Sequence, residues 1–308
     1  MSHRGAAPRA AAGPRPASSP TLLYTLITAM VLFWSANYII GKIALREFPP
    51  LLLCGLRVAV AGLFMIPVYL SQGNATWGKR DLPMLLYLGL FGVTLNQLCF
   101  LMGLSRTSVV HSVLIISMTP LFVLLIAALM KQERITVRKA TGMLIALAGV
   151  AILQALPAAD AAPAARPSLL GDLFIFMAAI SFSAFTVLGK SVSLKHSAIT
   201  VNTFGYVGGA LALAPMTIYQ ARNFPFARVS PTGWSSLLYM ALFPSVICYL
   251  IFYYALGRIS ASRVSAFSYL QPLFATFMAV IALREHVTLP MVAGGAVIFS
   301  GVFLAERG

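Results

Sequence analysis

An all-α polytopic membrane protein, with ten transmembrane helices in two inverted five-helix repeats, is the fold class this sequence predicts. Three observations lead to it. The 308-residue chain is 59% apolar and only 9% charged, against about 45–50% and about 25% in ordinary soluble domains. Its apolar residues gather into runs of about 20, the length that crosses a bilayer. One block also occurs twice: WSANYIIGK from Trp34 returns as FSAFTVLGK from Phe182.

The duplication extends well beyond that block. Gly189, Lys190 and Pro215 follow Gly41, Lys42 and Pro67 at an offset of 148. Further on the offset is 152: LLYLGLF from Leu85 meets LLYMALF from Leu237, and TPLF around Pro120 meets QPLF around Pro272. Glu285, Gly294 and Gly301 then follow Glu133, Gly142 and Gly149 at the same offset. Repeats of apolar segments are the signature of transporters built from two halves.

In chain order, residues 1–21 are rich in Ala, Pro and Arg and lack periodicity, and they read as a disordered cytoplasmic tail. A cleaved signal is disfavoured, because the next apolar run is longer than a signal core and no small-x-small site follows it. Residues 22–156 form the first repeat, with spans at roughly 22–44, 51–70, 82–104, 108–130 and 140–156. Residues 157–170, PAADAAPAARPSLL, are the linker. Residues 171–305 form the second repeat, with spans at roughly 171–193, 198–219, 234–256, 261–282 and 288–305. A polar loop at 221–232 is the other long connection. No soluble domain is left to house separate chemistry.

Lys and Arg set the orientation. With the N-terminus inside, twelve of them, from Arg4 to Arg307, fall in inner segments and six, from Arg46 to Arg284, in outer ones. Both termini are therefore predicted to be cytoplasmic. Five spans per repeat is an odd number, so the second repeat enters the membrane from the opposite side, an inversion that suits alternating access. The net charge of +15 does not indicate nucleic acid, because most of the basic residues sit between apolar runs as anchors. Cys54, Cys99 and Cys248 lie inside apolar runs with no ligand spacing, so they read as packing residues. No cofactor or metal set is read. There is no HExxH, no pair of intramembrane aspartates and no convincing Ser/His pair, so an intramembrane enzyme is disfavoured.

The candidate substrate cavity follows from symmetry. Trp34, Asn37, Tyr38 and Gly41 share one helical face in span 1, and the matching face of span 6 carries Phe182, Phe185, Thr186 and Gly189. Asn96 and Phe100 in span 3 and Tyr249, Phe252 and Tyr253 in span 8 extend this polar-aromatic set. Span 4 adds Ser112 and Thr119, and span 9 adds Tyr269 and Gln271. Amides in hydrocarbon are costly unless paired or wetted, and aromatic rings with scattered amides suit an amphipathic small molecule. Arg57 sits about 9 Å inside span 2 at 1.5 Å per residue; it either ties that span to neighbouring carbonyls or attracts an anionic group. Lys42, Lys190 and Arg263 lie near span ends, where snorkelling accounts for them. His111, near the start of span 4, is the sole candidate for a proton-sensitive step. No Asp or Glu lies deep in a span: Asp172 opens span 6, and Glu133 and Glu285 sit at span ends. That argues against a carboxylate proton relay. Gly142, Ala146 and Gly149, with Gly294, Gly295 and Gly301, read as close-packing scaffold, and Pro120 and Pro272 as bends in spans 4 and 9.

Ten spans in two halves, WSANYIIGK, Arg57 in span 2, the stretch from Thr107 to Thr136 and its second copy from Ser260 to Thr288 resemble the drug/metabolite transporter superfamily, EamA type. A mid-span Pro followed about thirteen residues later by Glu and Thr is the most family-like feature. The resemblance covers about residues 22–305 and implies an exporter of small metabolites such as amino acids, in a bacterial cytoplasmic membrane. The second copy departs from the first at Gly205, in place of Arg57, and at His286, in place of Arg134. The alternatives are a carrier of nucleotide-sugars or other phosphorylated anions, and a structural membrane subunit that transports nothing. The expected partners are a small-molecule substrate and the lipid bilayer, with a homodimer left open.

Overall fold

The structure, a computed structural model, describes residues 19–72, 78–154, 168–283 and 289–308. The N-terminal tail as far as residue 18, most of the linker, Arg284, Glu285 and His286 lie outside the described residues. Fourteen α-helices carry the described chain: α1 (Pro20–Ala44), α2 (Pro50–Leu70), α3 (Leu82–Leu88), α4 (Asn96–Leu104), α5 (Val109–Ile116), α6 (Thr119–Leu129) and α7 (Val137–Gln154), then α8 (Leu169–Lys195), α9 (Ala198–Ala221), α10 (Pro231–Met240), α11 (Cys248–Leu256), α12 (Ala261–Ala266), α13 (Leu270–Leu283) and α14 (Leu289–Glu306). The described residues form no strand. Only helices satisfy every backbone group within one segment, which is what a lipid interior requires.

Local chemistry fixes where these helices begin. Ser19, Ser108, Ser168, Ser197, Ser230 and Ser260 are N-caps whose side chains accept a backbone N–H from the first turn. Pro20, Pro50 and Pro231 open α1, α2 and α10, where a missing N–H costs nothing.

Two of the predicted spans are interrupted at matching places. α3 and α4 are joined by a π-helical segment, Gly89–Leu95, and α10 and α11 by another, Ala241–Ile247, at an offset of 152. Pro244 lies in the second segment and cannot donate to the preceding turn. Spans 4 and 9 are broken rather than bent. α5 stops at a turn and α6 restarts with Pro120 in its first turn, while α12 passes through a 3-10 turn, Phe267–Tyr269, before α13.

Seven described stretches are long and apolar enough to cross a membrane: Pro20–Ala44, Pro50–Leu70, Leu82–Leu104, His111–Leu129, Leu169–Lys195, Ala198–Ala221 and Pro231–Leu256. The other three predicted spans are shorter or less apolar here. α7 carries Arg138 and Lys139 in its first turn, span 9 is divided, and the apolar part of the last helix is Val292–Glu306. Leu63, Leu125, Leu211 and Phe299 project from the outside of the bundle, an apolar surface suited to lipid rather than water.

Glycine sets the tightest helix contacts. α7 and α14 pack on one another more extensively than any other pair. A Cβ on Gly142 would fall 2.4 Å from the Ala305 nitrogen, and one on Gly301 would fall 2.3 Å from the Ala146 nitrogen. α2 lies along α9, where a Cβ on Gly62 would touch the Tyr206 carbonyl at 3.4 Å.

Polar contacts tie the helix ends together. Glu47 accepts from the Ser230 N–H at 2.7 Å and from its hydroxyl at 2.6 Å. These bonds hold the Glu47 carboxylate below its usual range. Asp81 accepts from the Gly78 N–H and lies 3.6 Å from His196. Tyr24 donates to Glu306 at 2.7 Å, and Ser197 to Gln72 at 3.0 Å. Glu133 accepts from the Ser262 N–H at 3.1 Å, from the Ser262 hydroxyl and from Lys139 at 3.0 Å, which anchors the loop after α6 to the start of α12.

Candidate functional site

A cavity opens where the two halves meet. Its volume is about 80 Å³, smaller than the about 300–1,000 Å³ usual for small-molecule sites. The first half contributes Trp34, Asn37, Tyr38, Arg57, Asn96, Gln97, Phe100, Ile116 and Thr119, and the second Phe182, Tyr249, Ser268 and Gln271.

The π-helical segments build part of its wall. π-helical winding lengthens the backbone register to i+5, and such turns are frequent at functional sites. At equivalent positions, the Gly92 carbonyl accepts from the Tyr249 hydroxyl at 3.1 Å and the Pro244 carbonyl from Trp34 Nε1 at 3.2 Å. Two of the aromatic donors that line the cavity, Trp34 and Tyr249, are thus each latched to a π-segment carbonyl. Trp34 also meets Phe182 edge to face at 5.8 Å and Tyr249 at 6.1 Å. Gly92 is small because Phe185 lies over it: a Cβ there would fall 1.9 Å from that ring.

The polar groups of the wall are arranged unequally. Asn96 donates to the Ala178 carbonyl at 2.9 Å and Gln97 to the Tyr206 hydroxyl at 3.3 Å. Tyr38 donates to Gln271 at 3.4 Å. Arg57 is 2% exposed, and its Nε donates at 2.9 Å to Ser245, which in turn donates to the Met240 carbonyl. The symmetry-equivalent contact is apolar: Gly205 stands in place of Arg57, and a Cβ on it would meet Val93, the counterpart of Ser245, at 3.3 Å.

Ten of the residues read from the sequence therefore line one space: Trp34, Asn37, Tyr38, Arg57, Asn96, Phe100, Thr119, Phe182, Tyr249 and Gln271. Six do not line it. Phe185 and Phe252 are buried behind the wall, their rings stacked 6.1 Å apart. Thr186 and Ser112 turn back to the carbonyls of Phe182 and Ser108 in their own helices. Tyr269 is buried in the 3-10 turn. There i and i+3 eclipse, so Ser268 and Gln271 share the cavity face instead. His111 lies at the start of α5 with Nδ1 3.1 Å from Asp172, and Thr107 donates to the same carboxylate at 2.5 Å. Gln97, Ile116 and Ser268 were not among the sequence candidates. Gln97 was the findable one, since it directly follows Asn96 and lies one turn before Phe100. Lys42 and Lys190 correct the snorkelling reading. Lys42 donates to the Thr107 carbonyl at 2.7 Å, and Lys190 to the Ile259 carbonyl at 2.7 Å and to that of Leu256. Each closes the exposed carbonyls at the end of a neighbouring helix, a stabilising place for a cation.

The profile of the EamA-like transporter family matches residues 21–154 and again 169–306. The chain belongs to the EamA-like transporter family. Among its relatives, the uncharacterized transporter YetK of Bacillus subtilis is 27% identical over 91% of this chain and 86% of that one. An uncharacterized transporter of Archaeoglobus fulgidus is 27% identical over 92% and 98%. A WAT1-related chloroplastic protein of Arabidopsis thaliana is 25% identical over 92% and 69%. A solved crystal structure superposes with a TM-score of 0.73 at 20% identity, covering 94% of this chain and 98% of that chain, a likeness of fold. This EamA-like chain is thus an integral membrane transporter, of a family that moves solutes rather than one that catalyses reactions.

Proposed function

We propose that this transporter exports a small amphipathic metabolite, with amino acids as the reference class, from the cytoplasm across a bacterial inner membrane. It does so by alternating access of ten spans in two inverted repeats. The observation that carries this reading is the cavity walled by both halves, with Trp34 and Tyr249 fixed to equivalent π-segment carbonyls. The end contacts support the topology. Glu47 with Ser230, and Thr107 with Asp172, join ends assigned outside; Tyr24 with Glu306, Asp81 with His196, Gln72 with Ser197 and Glu133 with Ser262 join ends assigned inside. In each case the two partners carry the same assignment. Phosphorylated anions are disfavoured, because Arg57 is the only cationic side chain in the lining among the described residues. A non-transporting subunit would have no use for a polar cavity between inverted halves.

Efflux and uptake of labelled amino acids in proteoliposomes test the assignment. Flux is expected to follow the substrate gradient and to persist when a pH gradient is collapsed, since the cavity lining among the described residues contains no carboxylate to relay protons. Accumulation driven by an imposed proton gradient would refute the uncoupled reading. His111→Gln would then show whether His111, beside Asp172, is the relay. Topology has its own test. Cysteines at Ser2 and Asp160 are expected to react with an impermeant thiol reagent from opposite sides, and labelling of both from one side would remove the inversion.

A further inference from the structure

A cavity of about 80 Å³ is smaller than small-molecule sites usually are, so a solute enters only when the helices around it part. The packing shows where they can. α8 lies against α4, α5 and α6, while α1 lies against α10, α11 and α13. Each set is also joined by polar contacts of its own. Glu47, after α1, binds Ser230 at the start of α10. Asp172 on α8 accepts from Thr107, and Ser168 donates to the Arg106 carbonyl at 3.0 Å, so the turn between α4 and α5 belongs to the α8 set.

Two lysines cross from one set to the other. Lys42, in the last turn of α1, donates to the Thr107 carbonyl at 2.7 Å. Lys190, near the end of α8, donates to the Ile259 carbonyl at 2.7 Å and to that of Leu256, which ends α11. The crossings are equivalent: Lys190 follows Lys42 at the offset of 148, and Ile259 follows Thr107 at that of 152. They also lie at opposite ends of the bundle. Thr107 precedes the span His111–Leu129 and Glu133 follows it, and Glu133 binds Ser262, just beyond Ile259.

We propose that Lys42 and Lys190 are the clasps of two gates. Release of one parts the two helix sets at that end and opens the cavity to that face, while the other holds the opposite end shut. This deepens the alternating-access reading and rests on it. Both clasps are closed in this structure, which accounts for the contracted cavity. Lysine suits the work. Its charge meets the negative ends of α4 and α11, and both side chains are partly exposed. Water can therefore replace the carbonyl at the ammonium and the ammonium at the carbonyl, so release has a modest net cost.

Thiol accessibility of the full chain in right-side-out and inverted membrane vesicles tests this, with an impermeant methanethiosulfonate as the probe. Ser268→Cys, in the cavity wall, is the reporter, and the buried native Cys54, Cys99 and Cys248 set the background. Lys42→Met is expected to raise the reporter's labelling rate about fivefold from one face and leave the other unchanged, since a bond from a charged donor is among the stronger ones. Lys190→Met is expected to raise it about threefold from the opposite face, because Glu133 still holds Ser262 there. Lys42→Gln and Lys190→Gln, shorter and uncharged donors, cover the case where the Met variants fail to fold, and should give smaller rises from the same faces. A static helix cap would lower the thermal midpoint and raise labelling from both faces or from neither. Either of those labelling patterns overturns the proposal. A rise from one and the same face in both variants also overturns it, and labelling at Ser2 and Asp160 then shows whether the inversion has failed with it. Flux of labelled amino acids is read separately. Opposite-face labelling without flux upholds the clasps and removes the transport reading, and flux without the labelling shifts does the reverse.

Discussion

Glu133→Ala is expected to lower the apparent thermal midpoint of the purified protein by about 6 °C or more, corresponding to about 3 kcal/mol at about 2 °C per kcal/mol for a chain of this size. The Glu133 and Lys139 side chains are only 9% and 10% exposed, and removal of one partner strands the other. The same carboxylate holds the Ser262 N–H at 3.1 Å and its hydroxyl, so the start of α12 loses its anchor as well. Glu133→Gln should cost less, because an amide oxygen still accepts from Ser262. Glu133→Leu combined with Lys139→Met should recover part of the loss, as expected when both charges of a buried pair are removed together. The pH dependence has a definite sign. Burial works to raise the Glu133 carboxylate, but the Ser262 bonds and Lys139 outweigh it and hold it below its ordinary value of 4.5. The unfolded chain therefore takes up the proton first as pH falls. The stabilisation is complete above the ordinary value and is lost as pH drops through the lower folded one. A midpoint unchanged in Glu133→Ala at neutral pH would show that the α6–α12 contact contributes nothing.

Gly301→Val is expected to be more damaging still. The first added carbon alone would sit 2.3 Å from the Ala146 nitrogen and 2.6 Å from the Gly142 carbonyl. Both are backbone atoms, so no side-chain rotation relieves the clash and α7 and α14 must move apart. Overpacking in a tight core costs about 1–3 kcal/mol when side chains can adjust, and here they cannot. Loss of the monodisperse peak in size-exclusion chromatography is the expected readout. Gly205→Ala is the control, since its nearest neighbour is the tip of Val93 at 3.3 Å, which can yield by a few tenths of an ångström. Equal yields for the two variants would show that the α7–α14 contact is not tight in the membrane.

Much of this was legible in the sequence, and the reasons are physical. Helices in lipid must be long and apolar, so the runs and their basic flanks mark their own ends. The duplicated block located the cavity because Trp34 and Phe182, its equivalent first residues, do meet there. Side-chain patterning, however, reports the period of a helix and not a local change of winding. The π-segments at Gly89–Leu95 and Ala241–Ile247 keep a mostly apolar sequence, interrupted by Thr94 and Ser245, so the pattern did not mark the first, and only Pro244 hinted at the second. The 3-10 turn misled for the same reason: on an ideal α-helix Tyr269 is as good a candidate as Ser268, and only the tighter winding separates them. Asp172 with His111, and Lys42 with the Thr107 carbonyl, join residues 61 and 65 positions apart. Such pairs depend on how helices are set against each other, which one chain's periodicity does not encode.

The unequal contacts at Arg57–Ser245 and Gly205–Val93 have a kinetic meaning. In a cycle whose two end states exchange the conformations of the halves, glycine would have to do in one state what arginine does in the other. It has no side chain with which to do so. The forward and return strokes of the empty carrier then have unequal barriers, and the resting protein favours one orientation. This bias sets the turnover seen from each face and the half-saturation concentration measured there. It does no work, however: with equal solute on both sides, microscopic reversibility holds net movement at zero. On the proposed reading of uncoupled alternating access, the arginine sets rate and the solute gradient chooses direction.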